Sequence, residues 1–172
     1  NNDRNVFGSC MLKNGDADGM VTGVTRNYDV ALQDAQMVLD PIPGQAVIGM
    51  SMVINRGKTV FIADTSVTEL PGGPELADIA VEAARAVQSV GFVPRVAFLS
   101  YSTFGNPMGE RGEKVREAVA ILDNMDGIEF EYEGDMAADV ALNPNHWMLY
   151  PFSRLSGPAN VLVMPAIHAA SI

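Results

Sequence analysis

Cysteine and long apolar runs are both scarce in this sequence. Among its 172 residues Cys10 is the single cysteine, so no disulfide can form within the chain, and this favours a reducing, cytoplasmic location. Because Cys10 lies in the apolar stretch 6–12, we expect its thiol to be buried and inert. No stretch approaches the roughly 18 apolar residues that a membrane helix needs, so we expect no membrane partner.

Positive charge is scarce as well. Lys and Arg number 11 against 21 Asp and Glu, which gives a net charge of −10, and the basic residues are scattered along the chain. Because phosphate backbones are bound by clustered Lys and Arg, we expect no nucleic-acid partner. The remaining composition, with 48% hydrophobic and 19% charged residues, is that of an ordinary globular domain.

The common motifs for nucleotides and metals are absent. Neither Gly-x-Gly-x-x-Gly nor Gly-x-x-x-x-Gly-Lys-Ser/Thr occurs, so we expect no nucleotide site in this chain. The segment 14–19 resembles the start of a calcium loop, but Thr25 stands where that loop needs a bidentate Glu. His146 and His168 are far apart and lack other ligands at suitable spacing, which predicts surface or packing roles and no metal.

Three apolar runs, at 59–63, 95–99 and 159–164, stop abruptly at polar or turn-forming residues. This pattern is typical of buried, mostly parallel strands. Open α/β sheets bind ligands at the carboxyl edge of such strands. The residues that follow the first two runs are therefore candidates to line a cleft: Thr65, Ser100, Ser102 and Thr103.

Hydrophobic periodicity predicts alternating helices and strands, which indicates an α/β sandwich. Helices are expected over 6–13, 29–39, 74–90, 110–124 and 136–142. Strands are expected over 19–24, 46–54, 59–63, 95–100, 128–132 and 160–164. The short connection 55–58 contains Asn and Gly, so its flanking strands should form an antiparallel hairpin within a mostly parallel sheet. Since the chain starts without Met and stops just after a strand, we interpret it as an incomplete fragment of a longer protein.

Several blocks, in order and at family-like spacing, resemble the phosphate acetyl/butaryl transferase family: 15–23, 60–64, 75–80, 94–97, 99–103, 114–118 and 157–163. The resemblance implies a three-layer α/β/α sandwich of the isocitrate dehydrogenase-like (phosphotransacetylase) type, built as a two-lobed homodimer with its cleft between the lobes. Residues 1–44 would then be part of the first lobe, and residues 45–172 the Rossmann-like second lobe.

The sequence resembles one branch of that family more closely than the others. The segments 23–28, 138–144 and 150–158 are similar to the carboxy-terminal transacetylase-like region of large bacterial NADP-dependent malic enzymes. That resemblance implies a region that binds acetyl-CoA as a regulator and assembles a homo-oligomer. The fragment itself would need no cofactor, while NADP and a divalent metal would serve malate oxidation in the missing amino-terminal portion.

Two departures from the transacetylase pattern support this branch. Thr65 stands where genuine phosphotransacetylases usually have Cys, and Gln33 stands where they usually have Arg. A neutral Gln cannot supply the charge-assisted contact by which Arg would hold acetyl phosphate. The resemblance therefore implies that both positions are catalytically degenerate, and we assign no catalytic residue. Thr65 would line the cleft without doing chemistry.

Binding roles have competing structural explanations. Arg26, Asn27 and Tyr28 precede a helix N-terminus, a natural anion site, and the resemblance makes them candidates for acetyl-CoA or its phosphates. Alternatively, Arg26 pairs with a carboxylate such as Asp29. The serine and threonine hydroxyls of 100–103 would either donate to pantetheine or phosphate, or cap turns.

Two residues late in the chain also have structural interpretations. We expect Asn160 to hold backbone geometry rather than ligand. Arg154 could face an oligomer contact, CoA phosphates or solvent.

Three functions remain open. The first is a regulatory and oligomerisation region of a malic enzyme that binds acetyl-CoA without turnover. The second is an active phosphate acetyltransferase, which exchanges an acetyl group between CoA and phosphate. The third is a structural dimerisation module with an empty cleft. Gln33 and Thr65 argue against turnover, while Arg26 and the hydroxyl-rich loop favour ligand binding.

Overall fold

The computed structural model describes residues 3–171, apart from the side chains at positions 111 and 147. The chain forms two compact units, one that ends at Gln45 and one that begins at Ala46. The assignment of these stretches to the two lobes of a larger fold stays a prediction.

The first unit contains helices α1 (Arg4–Asn14) and α2 (Tyr28–Gln36), which confirms both predicted helices. Helix α1 begins after Asp3, whose carboxylate accepts hydrogen bonds from the amides of Asn5 and Val6 at 2.8 and 3.3 Å. It ends at Gly15, whose φ of 78° is a left-handed conformation that glycine adopts without strain.

The prediction of a buried Cys10 is wrong, because its side chain is exposed. Helix α1 instead buries polar residues. Asn5 donates to the carboxylate of Asp34 in α2 at 3.0 Å, and Ser9 donates to the carbonyl of Asn5 at 2.8 Å. This polar contact fixes the rotation of the helix and leaves Phe7 and Cys10 on exposed positions.

The predicted strand 19–24 is also wrong. The segment is irregular, and both Val21 and Val24 are fully exposed. A strand needs a neighbour that accepts its backbone hydrogen bonds. Among the described residues of the first unit, no other strand is present to supply one.

The second unit is built on a five-stranded sheet, and its order is β1-β2-β5-β3-β4. The strands are β1 (Met50–Asn55), β2 (Lys58–Ala63), β3 (Arg95–Leu99), β4 (Glu131–Met136) and β5 (Val161–Val163). Strands β1 and β2 form the predicted antiparallel hairpin, and the other three pairings are parallel. The expectation of a mixed, mostly parallel sheet is therefore confirmed.

Helices α3 (Gly73–Ser89) and α4 (Glu110–Asp123) pack against one face of the sheet. Helix α3 has Pro74 in its first turn, and Glu75 accepts a hydrogen bond from the amide of Gly72 at 3.0 Å, which caps the helix. Its apolar stripe is buried against the strands: Leu76, Ile79, Ala80, Ala83, Ala84 and Val87.

The opposite face carries a smaller core to which α5 (Ala138–Leu142) contributes Ala141. Two short helices complete the unit, α6 (His146–Leu149) and α7 (Ile167–Ala170). With α3 and α4 on one face of the sheet and α5 with its neighbouring segments on the other, the unit has the predicted three-layer α/β/α architecture.

Strand β4 lies later in the chain than predicted. The expected edge strand covered 128–132, whereas β4 covers Glu131–Met136 and does lie at the sheet edge. Ile128 and Phe130 pack on the core, but backbone pairing with β3 begins only at Glu131, opposite Arg95. The apolar pattern therefore marked the approach to the strand rather than the strand itself.

Asn160 holds the start of two neighbouring strands in register, as expected. Its side-chain oxygen accepts from the amide of Arg95 at 2.7 Å, and its side-chain nitrogen donates to the carbonyl of Val93 at 2.9 Å. Its own carbonyl accepts from the amide of Phe61 at 2.7 Å. One side chain thereby connects β5 to β3, while its backbone connects to β2.

Arg154 is held within the chain. Its guanidinium lies 2.5 Å from a carboxylate oxygen of Asp123 and 3.3 Å from one of Glu133, and it lies over the ring of Tyr132. The Arg154 amide donates to Glu133 at 2.9 Å. These contacts tie the segment around residue 154 to β4 and to the end of α4, an intramolecular role that the sequence analysis did not consider.

Candidate functional site

The register of the sheet places Thr65 and Ser100 at the same edge. Ala63 in β2 is paired with Val163 in β5, which in turn is paired with Phe98 in β3. Thr65 and Ser100 each follow that level by two residues. Because β5 separates the two strands, they leave the sheet two strand spacings apart, about 10 Å. Both side chains are partly buried.

The loop after β3 is tied down by backbone hydrogen bonds. The amide of Ser100 donates to the carbonyl of Met136 at 3.0 Å, and the amide of Phe104 donates to the carbonyl of Asp135 at 2.7 Å. Thr103 and Asn106 form a small antiparallel bridge. The loop that carries three of the predicted hydroxyl groups is therefore a defined turn anchored on the end of β4.

Asp135 is the centre of a buried polar network under this loop. Its side chain is fully buried and accepts a short hydrogen bond from the hydroxyl of Ser102. The amide of Gly105 donates to its other oxygen at 3.1 Å, and Arg116 in α4 lies 3.3 Å from the oxygen that Ser102 contacts. The Ser100 hydroxyl lies 3.0 Å from that of Ser102. Both oxygens of the carboxylate thus accept from the loop, and one of them also pairs with α4.

Gly112 in the first turn of α4 allows this network to form. A Cβ atom at Gly112 would lie 2.9 Å from the Ser102 hydroxyl oxygen and 3.0 Å from a guanidinium nitrogen of Arg116. It would also lie 3.3 Å from the Asp135 carboxylate. A side chain at this position would push the helix away from the network.

The sequence analysis missed Asp135 and Arg116. The missed signal was Asp135, which lies three residues beyond the predicted strand 128–132 but inside the observed β4. A carboxylate buried at a strand end must be satisfied by neighbours, and loop hydroxyls and amides supply that need.

Thr65 is positioned by its neighbour Asp64. The buried carboxylate of Asp64 accepts from the amides of Gly49 at 2.7 Å, Ser66 at 3.0 Å and Thr68 at 2.7 Å. The amide of Thr65 donates to the carbonyl of Gly49 at 2.9 Å. The Asp64 carboxylate, at the end of the apolar run, therefore organises the loop that presents Thr65 at the sheet edge.

In the first unit, Arg26 bridges two carboxylates. It lies 2.5 Å from Asp3 and 2.7 Å from Asp34, so the alternative of a carboxylate partner applies, with different partners from the suggested Asp29. The hydrogen bond that Arg26 donates to the Asp3 carboxylate, reinforced by the negative charges of Asp3 and Asp34, raises the pKa of the Arg26 guanidinium. Burial raises the pKa of the Asp3 carboxyl, but hydrogen bonds from the amides of Asn5 and Val6 and from Arg26 outweigh it and lower the pKa overall.

Arg26 and Tyr28 both line a cavity of about 340 Å³ within the first unit. The other lining residues are small or apolar: Met20, Thr22, Gly23, Ala31, Leu32 and Ala35. Asn27 precedes α2 but makes no side-chain capping bond. Gln33 is exposed on α2 and does not line this cavity. Of the four predicted positions in this unit, the structure brings Arg26 and Tyr28 together.

A larger cavity, of about 670 Å³, lies in the second unit beyond the ends of β2 and β5. None of the predicted site residues lines it. Its wall is mainly apolar, with the charged side chains of Glu110 and Lys114 at the start of α4. His168 also lines it and is exposed, whereas His146 is buried and contacts the carbonyl of Asn143 at 3.0 Å.

No three His, Cys, Asp or Glu side chains within residues 3–171 are grouped so that they could hold a metal ion. No helix in the same range is both long and apolar enough to cross a bilayer.

Comparisons with known proteins agree on one family. The model of the phosphate acetyl/butaryl transferase family matches residues 1–172. An NADP-dependent malic enzyme of Rhizobium meliloti is 60% identical over 172 residues, which cover 100% of this chain and 22% of that protein. A phosphate acetyltransferase of Bacillus subtilis is 31% identical over 172 residues, covering 99% of this chain and 53% of that protein.

Solved structures confirm the predicted fold. A phosphotransacetylase from Streptococcus pyogenes superposes with a TM-score of 0.85 at 29% identity, covering 96% of this chain and 51% of that one. The chain spans between about a fifth and about half the length of these relatives. The family match over its whole length, together with this fold, establishes that the chain belongs to the phosphate acetyl/butaryl transferase family.

Proposed function

We propose that this chain is the transacetylase-like region of an NADP-dependent malic enzyme, in which it binds acetyl-CoA as an effector and holds subunits together without acyl transfer. The observation that carries this proposal is the difference in identity: 60% to the Rhizobium meliloti malic enzyme against 31% to the Bacillus subtilis phosphate acetyltransferase, each over 172 residues. In the proposed parent enzyme, NADP and a divalent metal serve the oxidative decarboxylation of malate to pyruvate in the portion outside this chain.

Two substitutions support the loss of transferase turnover. Thr65 replaces the Cys, and Gln33 the Arg, that the family resemblance leads us to expect. A hydrogen bond to a charged group contributes about 1.5–3 kcal/mol, so losing one such contact to a phosphoryl group corresponds to roughly 10- to 150-fold in binding. Gln33 is exposed on α2, so it is sterically accessible to a ligand, but it supplies no charge.

Binding of acetyl-CoA is supported by groups in each unit. In the second unit, Ser100 and Thr103 are held in an anchored loop at the carboxyl edge of the sheet, where Thr65 also lies. In the first unit, Arg26 and Tyr28 line a cavity, although an anion there would have to compete with two carboxylates for Arg26. Asn27 beside them is a further candidate. A cytoplasmic location fits both the single cysteine and this ligand.

Assembly into a homo-oligomer is supported by the hairpin. Strand β1 is an edge strand, and it exposes Met52, Val53 and Ile54 to 57%, 46% and 65%. Exposed apolar edge strands normally require cover, because their unpaired backbone and side chains favour association. We propose a second copy of this region as the cover.

The intact protein tests the proposal in two assays. We expect the rate of NADP-linked malate oxidation to change when acetyl-CoA is added, and no acetyl phosphate to form from acetyl-CoA and phosphate. The double variant Gln33→Arg with Thr65→Cys serves as the positive probe, since restoring the cation and the thiol should raise any residual transferase turnover.

The alternatives predict different results. Family membership and the Bacillus subtilis relative favour the second candidate, an active phosphate acetyltransferase, and sustained acetyl phosphate formation by the unmodified protein would establish it over the first. A malate oxidation rate indifferent to acetyl-CoA, with no calorimetric binding, would leave only a structural dimerisation module.

A further inference from the structure

The hydroxyl groups of the loop after β3 differ in where their protons point. Ser102 donates to the fully buried carboxylate of Asp135, which also accepts from the amide of Gly105 at 3.1 Å and pairs with Arg116 at 3.3 Å. A carboxylate in an ion pair accepts hydrogen bonds and donates none, and a hydroxyl carries one proton. The proton of Ser102 is therefore committed to Asp135.

That commitment decides the direction of the next hydrogen bond. The hydroxyl oxygens of Ser100 and Ser102 are 3.0 Å apart, so one must donate to the other. Since Ser102 has no second proton, Ser100 is the donor. Ser100 also accepts from the amide of Ser102 at 3.3 Å. Its proton thus points inward, and only a lone pair is left for a ligand.

Thr103 has the opposite polarity. Its hydroxyl oxygen accepts from the amide of Ala137 at 3.1 Å, and within residues 3–171 it has no acceptor for its own proton. Thr103 is partly buried, as is Ser100. The loop therefore offers a ligand one acceptor, at Ser100, and one donor, at Thr103.

We infer that this loop recognises a secondary amide rather than a phosphoryl group, with Thr103 donating to the amide oxygen and Ser100 accepting from the amide N–H. The inference rests on the proposed binding of acetyl-CoA, whose pantetheine arm contains two secondary amides. An ionised phosphate has only acceptor oxygens, which a lone pair on Ser100 repels. Of the two interpretations left open for these hydroxyls, donation to a ligand is thereby limited to Thr103, and Asp135 becomes the positioning residue that sets the polarity.

Calorimetric titration of the intact protein with three probes tests this assignment. The probes are acetyl-CoA, pantetheine, which has the amides without phosphates, and adenosine 3′,5′-bisphosphate, which has phosphates without the amides. We expect Ser100→Ala and Thr103→Val each to weaken the binding of acetyl-CoA and of pantetheine by about 2- to 13-fold, which is the range of one neutral hydrogen bond. The affinity for the bisphosphate should stay unchanged. Ser89→Ala, which removes a surface hydroxyl at the end of α3, is the matched control.

Ser102→Ala tests the polarity itself. It removes the hydroxyl oxygen that accepts the Ser100 proton, so that this proton can turn outward to a ligand. We expect tighter bisphosphate binding than in the unmodified protein, and unchanged bisphosphate binding would contradict the assigned polarity.

The outcomes separate the two proposals. Suppose that the unmodified protein binds acetyl-CoA, but that neither Ser100→Ala nor Thr103→Val weakens pantetheine binding, or that they weaken bisphosphate binding instead. The amide assignment is then wrong, while the proposed function stands. If the unmodified protein binds no acetyl-CoA, both are wrong. Should Ser102→Ala fail to fold, the variants Ser100→Ala and Thr103→Val still decide the assignment.

Discussion

Replacing Asn160 by Ala should loosen the sheet at the level where β3 and β5 begin. The substitution removes an acceptor for the partly buried amide of Arg95 and a donor for the carbonyl of Val93, at 2.7 and 2.9 Å. Leaving the amide unsatisfied costs about 1–3 kcal/mol, and losing the second hydrogen bond costs about 0.5–1.5 kcal/mol. We therefore expect the free energy of unfolding to fall by about 2–4 kcal/mol.

Equilibrium urea denaturation, followed by far-UV circular dichroism, measures this loss. With a slope of about 2 kcal/mol/M, the midpoint should fall by about 1–2 M at an unchanged slope. Asn145→Ala is the matched control, because Asn145 is exposed and its side chain makes no capping bond. A change within about 0.5 kcal/mol for Asn160→Ala, similar to that of an ordinary surface substitution, would refute the assigned role.

The variant Asn160→Asp separates the two hydrogen bonds. One carboxylate oxygen still accepts from Arg95, but the other faces the carbonyl of Val93, where the protonated form alone can donate. The folded protein therefore raises the pKa of the new carboxyl. A raised pKa stabilises the fold below that pKa, and the stabilisation is lost as the pH rises through it. We expect the deficit relative to the unmodified chain to grow from acid to neutral pH; a pH-independent deficit would contradict the geometry.

Two further predictions concern packing and acid stability. Gly134→Ala should lower the free energy of unfolding by about 1–3 kcal/mol through overpacking, because the new Cβ would lie 2.8 Å from the Cβ of buried Phe98. Urea denaturation measures this loss. Gly19→Ala is the control, because a Cβ at Gly19 would have no atom within 4 Å. The lowered pKa of Asp3 stabilises α1 above the ordinary carboxyl range, and this contribution is lost as the pH falls through the lowered value. The helicity of the first unit should therefore decrease on acidification. The variant Asp3→Asn, which cannot hold Arg26 by charge, should lose that pH dependence. If helicity changes with pH in the same way in the variant and in the unmodified chain, this role of Asp3 is wrong.

Elements with complete local signals were predictable from the sequence. Helix α3 has Pro74 in its first turn and an uninterrupted apolar stripe, and the predicted start lies within one residue of the observed one. The hairpin followed from the short connection between two apolar runs, and Asn160 from its place before a strand. The deciding interactions of the helix and the hairpin lie close in sequence, whereas for Asn160 only its backbone role was predicted and not its partners, which are 65 and 67 residues away.

The predictions that were wrong concern features that depend on contacts between residues distant in sequence. The segment 19–24 has the composition of a strand, but whether it forms one depends on a partner. Cys10 has apolar neighbours along the chain, yet the hydrogen bond between Asn5 and Asp34 turns the helix so that the thiol is exposed. Arg26 has the place of an anion site, and two carboxylates from elsewhere in its unit occupy it.

For the candidate site, the sequence by itself determined which chemical groups are present at the sheet edge: hydroxyls after β3, Thr65 after β2, and a family pattern without its usual Cys and Arg. Only the tertiary structure decided what those hydroxyls can do. Asp135 is 33 residues from Ser102 along the chain, and α4 brings Arg116 to the same carboxylate. The direction of a hydroxyl proton depends on such distant partners, because a single proton goes to the strongest acceptor within reach.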